Sequence, residues 1–329
     1  MSPTEKIFGA FARIRVLVIG DVMLDSYIWG SVDRISPEAP VPVINVQKRD
    51  HRLGGAANVA LNLKSLGAQV TLIALAGKDT HGELLAGRMK EAGLHTEGLV
   101  FSADRPTTVK TRIIASHQHV VRVDDELDHP ATAQESDSLQ KLVEKFIANC
   151  DVVVFEDYDK GTITPALIQS TVDAARRKGI PTVVDPKRRN FMAYKHVSLF
   201  KPNLKELREG LKTDVDGGNK QQVETAVERL RKELQAERVM VTLSEHGVFI
   251  ASSTDKTSLP AHVREIADVS GAGDTVVSVA ALALAAGLTD RSVAALSNLA
   301  GGLVCQHVGV VPIDLSELRR EAALLGPLD

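Results

Sequence analysis

The sequence predicts an α/β fold, a central and mostly parallel β-sheet flanked by helices, with a small β-sheet lid. Three observations carry this. Short Val/Ile/Leu runs such as Arg15–Gly20 and Asp151–Phe155 are apolar without alternation, as strands covered on both faces must be. Amphipathic helical patterns lie between them, opened by capping residues or closed by glycine. Two segments, Asp25–Asp50 and Thr107–Val123, break that rhythm with alternating apolar residues about polar turns.

Taken in order, Arg15–Gly20 (RVLVIG) reads as a buried strand ending in glycine. Gly55–Leu66 is helical and stops at Gly67, Gln69–Leu75 is a strand, and His81–Ala92 is a helix stopped by Gly93. After the strand Asp151–Phe155, Thr164 is an N-cap with Pro165 at the first helical position, and that helix runs to Gly179. Pro181–Asp185 is a strand, Asn219–Gln235 a helix, Arg238–Leu243 a strand, and the chain is helical from Ala272 onward. Within the two insertions, Tyr27–Gly30 and Val41–Val46 flank a proline-rich turn, and Thr107–Val123 forms two runs about Ser116–His119. Both read as antiparallel hairpins, together a lid or a dimer surface. Asp124–Gln134 and Thr213–Lys220 are the most loop-like stretches.

A chain of 329 residues with 44% apolar residues buries a substantial core, and we expect a single domain with lid insertions at about 25–50 and 105–124. Lys and Arg number 39 against 42 Asp and Glu, so no basic field exists to hold nucleic acid or an anionic membrane. Aromatics at 4% argue against a base-stacking platform. The longest nearly unbroken apolar run, Val276–Leu288, falls short of the roughly 20 residues a bilayer requires. With no signal-peptide core before Ile14 and only Cys150 and Cys305, a reducing, cytoplasmic location is expected.

The sharpest chemical signal is Asp268-Val269-Ser270-Gly271-Ala272-Gly273-Asp274 ahead of an apolar helix. Small residues there let phosphate oxygens reach free backbone N–H groups, aided by the helix dipole. Asp274 in the first turn is placed to take a proton from an attacking hydroxyl. The same helix end is expected to keep it ionised and hence a weak base, sufficient for phosphoryl transfer, where positioning dominates. Gly54-Gly55-Ala56-Ala57-Asn58 opens another helix, with glycines that permit close approach of a ligand and Asn58 on the first turn. Asp21 and Asp25 follow the first strand, at the sheet end where α/β proteins bind ligands, and suit paired sugar hydroxyls. Asn203 and Glu206 share a helix face, and one of them could orient water on Mg²⁺. His117 and His119 lack a third ligand with suitable spacing and read as a polar hairpin turn. No Walker-type P-loop or G-x-G-x-x-G occurs.

Gly54-Gly55…Asn58, Asn203…Glu206 and Gly271-Ala272-Gly273-Asp274 come in the order and spacing of the ribokinase-like carbohydrate kinases, and the chain resembles that family over nearly its whole length. Within it, Gly30–Val43, Arg52–Ala60 and Asp185-Pro186-Lys187 look like the D-glycero-β-D-manno-heptose 7-phosphate kinases. The resemblance implies ATP and Mg²⁺ as cofactors and phosphorylation of the anomeric hydroxyl, giving the 1,7-bisphosphate for ADP-heptose and lipopolysaccharide core synthesis. By position it implies Asp274 as base, Gly271, Ala272 and Gly273 as the anion hole, and Asp21, Gly54, Gly55 and Asn58 on the sugar. Asn203 and Glu206 would organise Mg²⁺ and the nucleotide phosphates, Glu206 through water. Thr242, Ser244, Gly247 and Asn298 would flank the nucleotide.

A phosphorylated substrate needs cations, and Lys110, Arg112, Arg122 and Lys187 are the candidates. That set discriminates a sugar-phosphate kinase from a kinase of ribose or a nucleoside on the same fold; a non-catalytic sensor would not need Asp274. A lid of about four short strands has a second face, with Ile28, Val43, Ile113 and Val121 as candidates, and a homodimer packed through the lids is expected.

Overall fold

The computed structural model describes residues 3–115, 118–262, 264–326 and 328–329. His117, half of the histidine pair considered above, lies outside the described residues. After α1 (Pro3–Phe11), β1 (Arg15–Gly20) leads into a long hairpin, β2 (Val22–Ile35) and β3 (Pro42–Gly55), then α2 (Ala56–Ser65), β4 (Gln69–Gly77), α3 (Thr80–Glu91) and β5 (Leu99–Ser102). A second hairpin, β6 (Val109–Ala115) and β7 (Gln118–Asp125), precedes α4 (Ala133–Phe146), β8 (Val152–Glu156), α5 (Pro165–Arg177) and β9 (Thr182–Asp185). The chain continues through β10 (Leu199–Phe200), α6 (Leu204–Leu211), α7 (Lys220–Leu234), β11 (Arg238–Thr242), β12 (Val248–Ala251) and β13 (Lys256–Leu259). It ends in α8 (Ala272–Ala285), α9 (Asp290–Val304) and α10 (Leu315–Ala322).

Among the described residues the main sheet has nine strands in the order β13-β12-β11-β10-β9-β8-β1-β4-β5. Pairs from β5 to β11 are parallel, and β12 and β13 add an antiparallel edge. Successive side chains of β1 enter opposite cores. Val16 and Val18 pack with α2, α8 and α9, whereas Leu17 and Ile19 pack with α4, α5 and α7. This two-sided burial is why the strands read as unbroken apolar runs.

The two hairpins form a separate four-stranded sheet, β3-β2-β6-β7. Each hairpin is antiparallel as expected, and parallel pairing of β2 with β6 joins them. The first is much longer than its apolar alternation suggested. Charged Arg49, Asp50 and Arg52 continue β3, so Asp25 stands in a strand and not in a loop, and Gly55 ends β3 before the helix begins. The edge hairpin of β12 and β13 and the short β5 carry too few residues for a periodic signal and were not anticipated. A Thr132 capping box starts α4 within the stretch read as loop.

Candidate active site

The segments at the carboxyl ends of β1, β8 and β9, the first turns of α2 and α8, and the base of the lid converge around Asp274. Gly271 caps α8 with φ of 79°, a left-handed conformation that favours glycine, and no side chain caps the helix. The first-turn N–H groups have no intrahelical acceptor. Gly273 faces Asp185 and Lys201, whose Oδ2 and Nζ would stand 3.5 and 3.9 Å from a Cβ there.

Asp274 is buried in that first turn. Its Oδ2 accepts from Asn58 Nδ2 at 2.7 Å and its Oδ1 from Tyr158 Oη at 2.9 Å. Asn58 is itself held by Asn62, whose Nδ2 donates to Asn58 Oδ1 at 3.3 Å. Burial lifts the Asp274 carboxyl from 3.8 to about 6; the Asn58 and Tyr158 donors oppose the rise, while Asp185 and Asp25 add to it. The expectation of a low-pKa base fails here, because loss of water outweighs the helix end.

Buried charge surrounds the base. Asp185 pairs with Lys201 at 2.8 Å, and Lys187 with Glu206 at 2.5 Å. Burial opposes the Lys187 charge, but Asp185 and Glu206 outweigh it and raise its pKa. Glu156 at the end of β8 is pushed well above the carboxylate range by burial and by Asp185 and Asp274, and its Oε2 has no partner among the described residues.

On the lid side, Asp25 is buried and its Oδ1 accepts from Arg112 Nη1. A side chain at Gly54 would strike the Asp25 carboxylate, so glycine there makes room for this pair. Two guanidinium groups stand over the Tyr27 ring, Arg52 at 4.9 Å and Arg112 at 5.4 Å from its centroid. Lys110 donates to Asp124 at 3.2 Å and to Glu126 at 2.8 Å, and Arg122 donates to Asp124 with 58% of its side chain exposed. Asp21 is buried, and its carboxylate accepts from the backbone N–H groups of Tyr158, Lys160 and Thr162, so it shapes the loop after β8.

On the other side, Asn203 and Glu206 form a reciprocal capping box that starts α6, and Thr242 bridges to Asn203 at the end of β11. Ser244 and Gly247 both have positive φ in the turn after β11, and a side chain at Gly247 would strike the backbone of Leu259 and Pro260. Asn298 Nδ2 donates to the Pro260 carbonyl at 2.8 Å. Lys187 belongs with this group through Glu206. Lys110, Arg112 and Arg122, grouped with it in the sequence reading, pair with Asp124, Glu126 and Asp25 on the lid side.

Residues 13–316 match the family described as pfkB family carbohydrate kinase. The chain belongs to that family. A relative from Bordetella bronchiseptica named D-beta-D-heptose 7-phosphate kinase is 41% identical over 97% of this chain and 98% of its own length. One from Magnetococcus marinus named Bifunctional protein HldE is 42% identical over 94% of this chain. The chain spans 64% of that bifunctional relative's length. Phosphofructokinase-2 from Escherichia coli, in complex with potassium, has a TM-score of 0.79 at 20% identity, covering 96% of this chain and 99% of that one, and shares the fold. The protein is thus a carbohydrate kinase with a ribokinase-like fold, as the motifs implied.

Sequence reasoning missed Tyr158, Glu156, Lys201 and Arg52. Glu156 and Tyr158 follow the strand Asp151–Phe155 directly, so their place at a carboxyl strand end was available as a signal. Their contacts with Asp274 cross more than 100 positions and were not.

Proposed function

We propose that this kinase transfers the γ-phosphoryl group of ATP to the anomeric hydroxyl of D-glycero-β-D-manno-heptose 7-phosphate. The product, the 1,7-bisphosphate, would serve ADP-heptose and lipopolysaccharide core synthesis. The observation that carries the chemistry is Asp274, a buried carboxylate lifted to about 6 beside an uncapped helix N-terminus. The substrate rests on the names of relatives about 40% identical over most of the chain.

In this reading the anomeric oxygen forms the new O–P bond, the bond from the γ-phosphorus to the ADP oxygen breaks, and the hydroxyl proton passes to Asp274. The N–H groups of Gly271, Ala272 and Gly273 receive the transferring phosphoryl oxygens. Asn58, Gly54, Gly55, Asp21 and Asp25 border the sugar, and Arg112, Lys110 and Arg122 supply cations near its phosphate. Asn203, Glu206, Thr242, Ser244, Gly247 and Asn298 border the nucleotide, with Lys187 reassigned to its phosphates.

The donor set fits Mg²⁺ held mainly by phosphates and water. Glu206 offers a hard oxygen at the cleft, and no three His, Cys, Asp or Glu side chains converge to cage a metal among the described residues. Bound there, Mg²⁺ would neutralise charge on the phosphate oxygens, with Glu206 holding it through water.

We read the chain as one catalytic domain, with the lid excluding water. The lid's outward row Ile28, Ile113 and Val121 follows from the strand register, and Val121 and Val123 are 47% and 52% exposed. A second lid would cover this face in a homodimer. No helix among the described residues is long and apolar enough to cross a membrane. The free thiols Cys150 and Cys305 and the use of ATP support a cytoplasmic location.

The test is ADP release with heptose 7-phosphate, dephosphorylated heptose and fructose 6-phosphate, with ³¹P NMR of the product. Turnover on heptose 7-phosphate at least about 100-fold above the other two is expected. Equal use of dephosphorylated heptose would overturn the substrate assignment.

A further inference from the structure

We propose that Tyr158 is a positioning residue for the base: its phenol O–H holds the Asp274 carboxylate in the ionised, correctly turned form that accepts the sugar proton. The inference deepens the reading above and rests on Asp274 being the base.

The loop that carries Tyr158 is built for placement. Asp21 accepts from the backbone N–H of Tyr158 at 2.8 Å, of Lys160 at 3.0 Å and of Thr162 at 3.0 Å. Asp157 Oδ1 accepts from the Asp159 N–H at 2.9 Å, and Asp159 adopts a φ of 57°, which non-glycine residues rarely take. So many constraints on one short loop fix the direction of the Tyr158 side chain. Its Oη reaches Asp274 Oδ1 at 2.9 Å, opposite Asn58 on Oδ2, which leaves the remaining lone pairs of the carboxylate for the substrate hydroxyl.

Tyr158 is not a core-filling aromatic. Tyr194 and Phe155 pack against each other inside the apolar core, whereas Tyr158 is only partly buried and lies among polar groups. Lys187 Nζ stands 5.0 Å from its ring centroid. Burial and the nearby Asp274, Glu156 and Asp185 raise the phenol well above 10, so it stays a donor at any working pH.

The charged groups that face Asp274 are Asp25 from β2, Glu156 from β8 and Asp185 from β9. Asp25 is paired with Arg112 and Asp185 with Lys201, with Lys187 beyond the Tyr158 ring. The carboxylates disfavour an ionised Asp274; the Tyr158 and Asn58 donors are the groups that favour it. A hydrogen bond to a charged acceptor is roughly twice as strong as one to a neutral acceptor, so the phenol bond favours the ionised base.

Tyr158→Phe keeps the ring and removes the donor. With ATP and heptose 7-phosphate saturating, the acidic limb of the kcat profile is expected to move up by about one pH unit. Turnover at pH ~6 then falls about fivefold, approaching about tenfold only below pH ~5, against almost no change from the shift at pH ~8.5, with the KM for ATP unchanged. Site-specific 3-fluorotyrosine at position 158, a stronger donor, is expected to move the limb the opposite way. A uniform loss of kcat with the limb unmoved, a limb that moves the same way in both variants, or no change in either would overturn the proposal. If the phenylalanine variant fails to fold, the fluorinated protein decides alone, and an unmoved limb overturns it. Asp274→Asn separates this from the underlying reading. Retained turnover there removes the base itself, whereas lost turnover there with an unmoved limb in both Tyr158 variants removes only the role of Tyr158.

Discussion

Replacing Asp274 by Asn is expected to abolish turnover and yet leave the protein as stable or more stable. The carboxyl titrates at about 6 in the folded chain against 3.8 for an ordinary aspartate. At about 1.36 kcal/mol per unit, that shift means the ionised side chain opposes folding by about 3 kcal/mol at neutral pH. Because the folded value is the raised one, the contribution of Asp274 to stability is most favourable below the unfolded pKa and is lost as pH climbs through 6. Asparagine removes this charge, but its amide donor must face either Asn58 Nδ2 or Tyr158 Oη, both of which donate to Asp274. One mismatched buried donor costs about 1–3 kcal/mol. The net effect is a gain of about 0–2 kcal/mol at neutral pH, or a rise of a few degrees in Tm at this chain length. The advantage of the variant over wild type should grow between pH 4 and 6.5 and level off above. Loss of the proton acceptor lowers kcat at least about 100-fold, with modest change in nucleotide affinity. Coupled ADP release and thermal unfolding across pH measure both. Near-normal turnover would refute the role of Asp274, and a Tm difference independent of pH would refute the burial argument.

Lys187→Ala should raise the KM for ATP about tenfold or more and leave that for heptose 7-phosphate nearly unchanged, since Lys187 pairs with Glu206 away from the lid cations; steady-state kinetics with each substrate varied in turn would detect the reverse. Gly54→Ala drives a methyl group into the Asp25 carboxylate and should part it from Arg112, cutting kcat/KM for the sugar about tenfold or more while nucleotide binding persists in titration calorimetry. Ile113→Asp or Val121→Asp, on one row of the lid's outer face, should convert a dimer into monomers in sedimentation velocity. A stable wild-type monomer at micromolar concentration would remove the proposed interface.

The sequence by itself determined the parallel sheet, because strands buried on both faces must be apolar at every position, and Val16 to Ile19 show this without reference to anything distant. It determined the first turn of α8 as well. A left-handed Gly271, small residues and an acid in the first turn are local requirements of a phosphate-accepting helix end, satisfied within four positions. Lid length, by contrast, was hidden, because charged residues on the cleft face of β3 erase the alternation a half-buried strand would show. The tertiary structure alone decided which charges meet. Lys187 stands beside Glu206, and Asp21 gathers three backbone donors of the loop after β8, partners that no local spacing shows. It also decided the acidity of Asp274, since the helix end is local but the burial that overrides it comes from α2, β2, β8 and β9 packing around one carboxylate. Periodicity and capping act over a few residues and are written in the chain; desolvation and ion pairing depend on distance in space, and only the folded chain sets those distances.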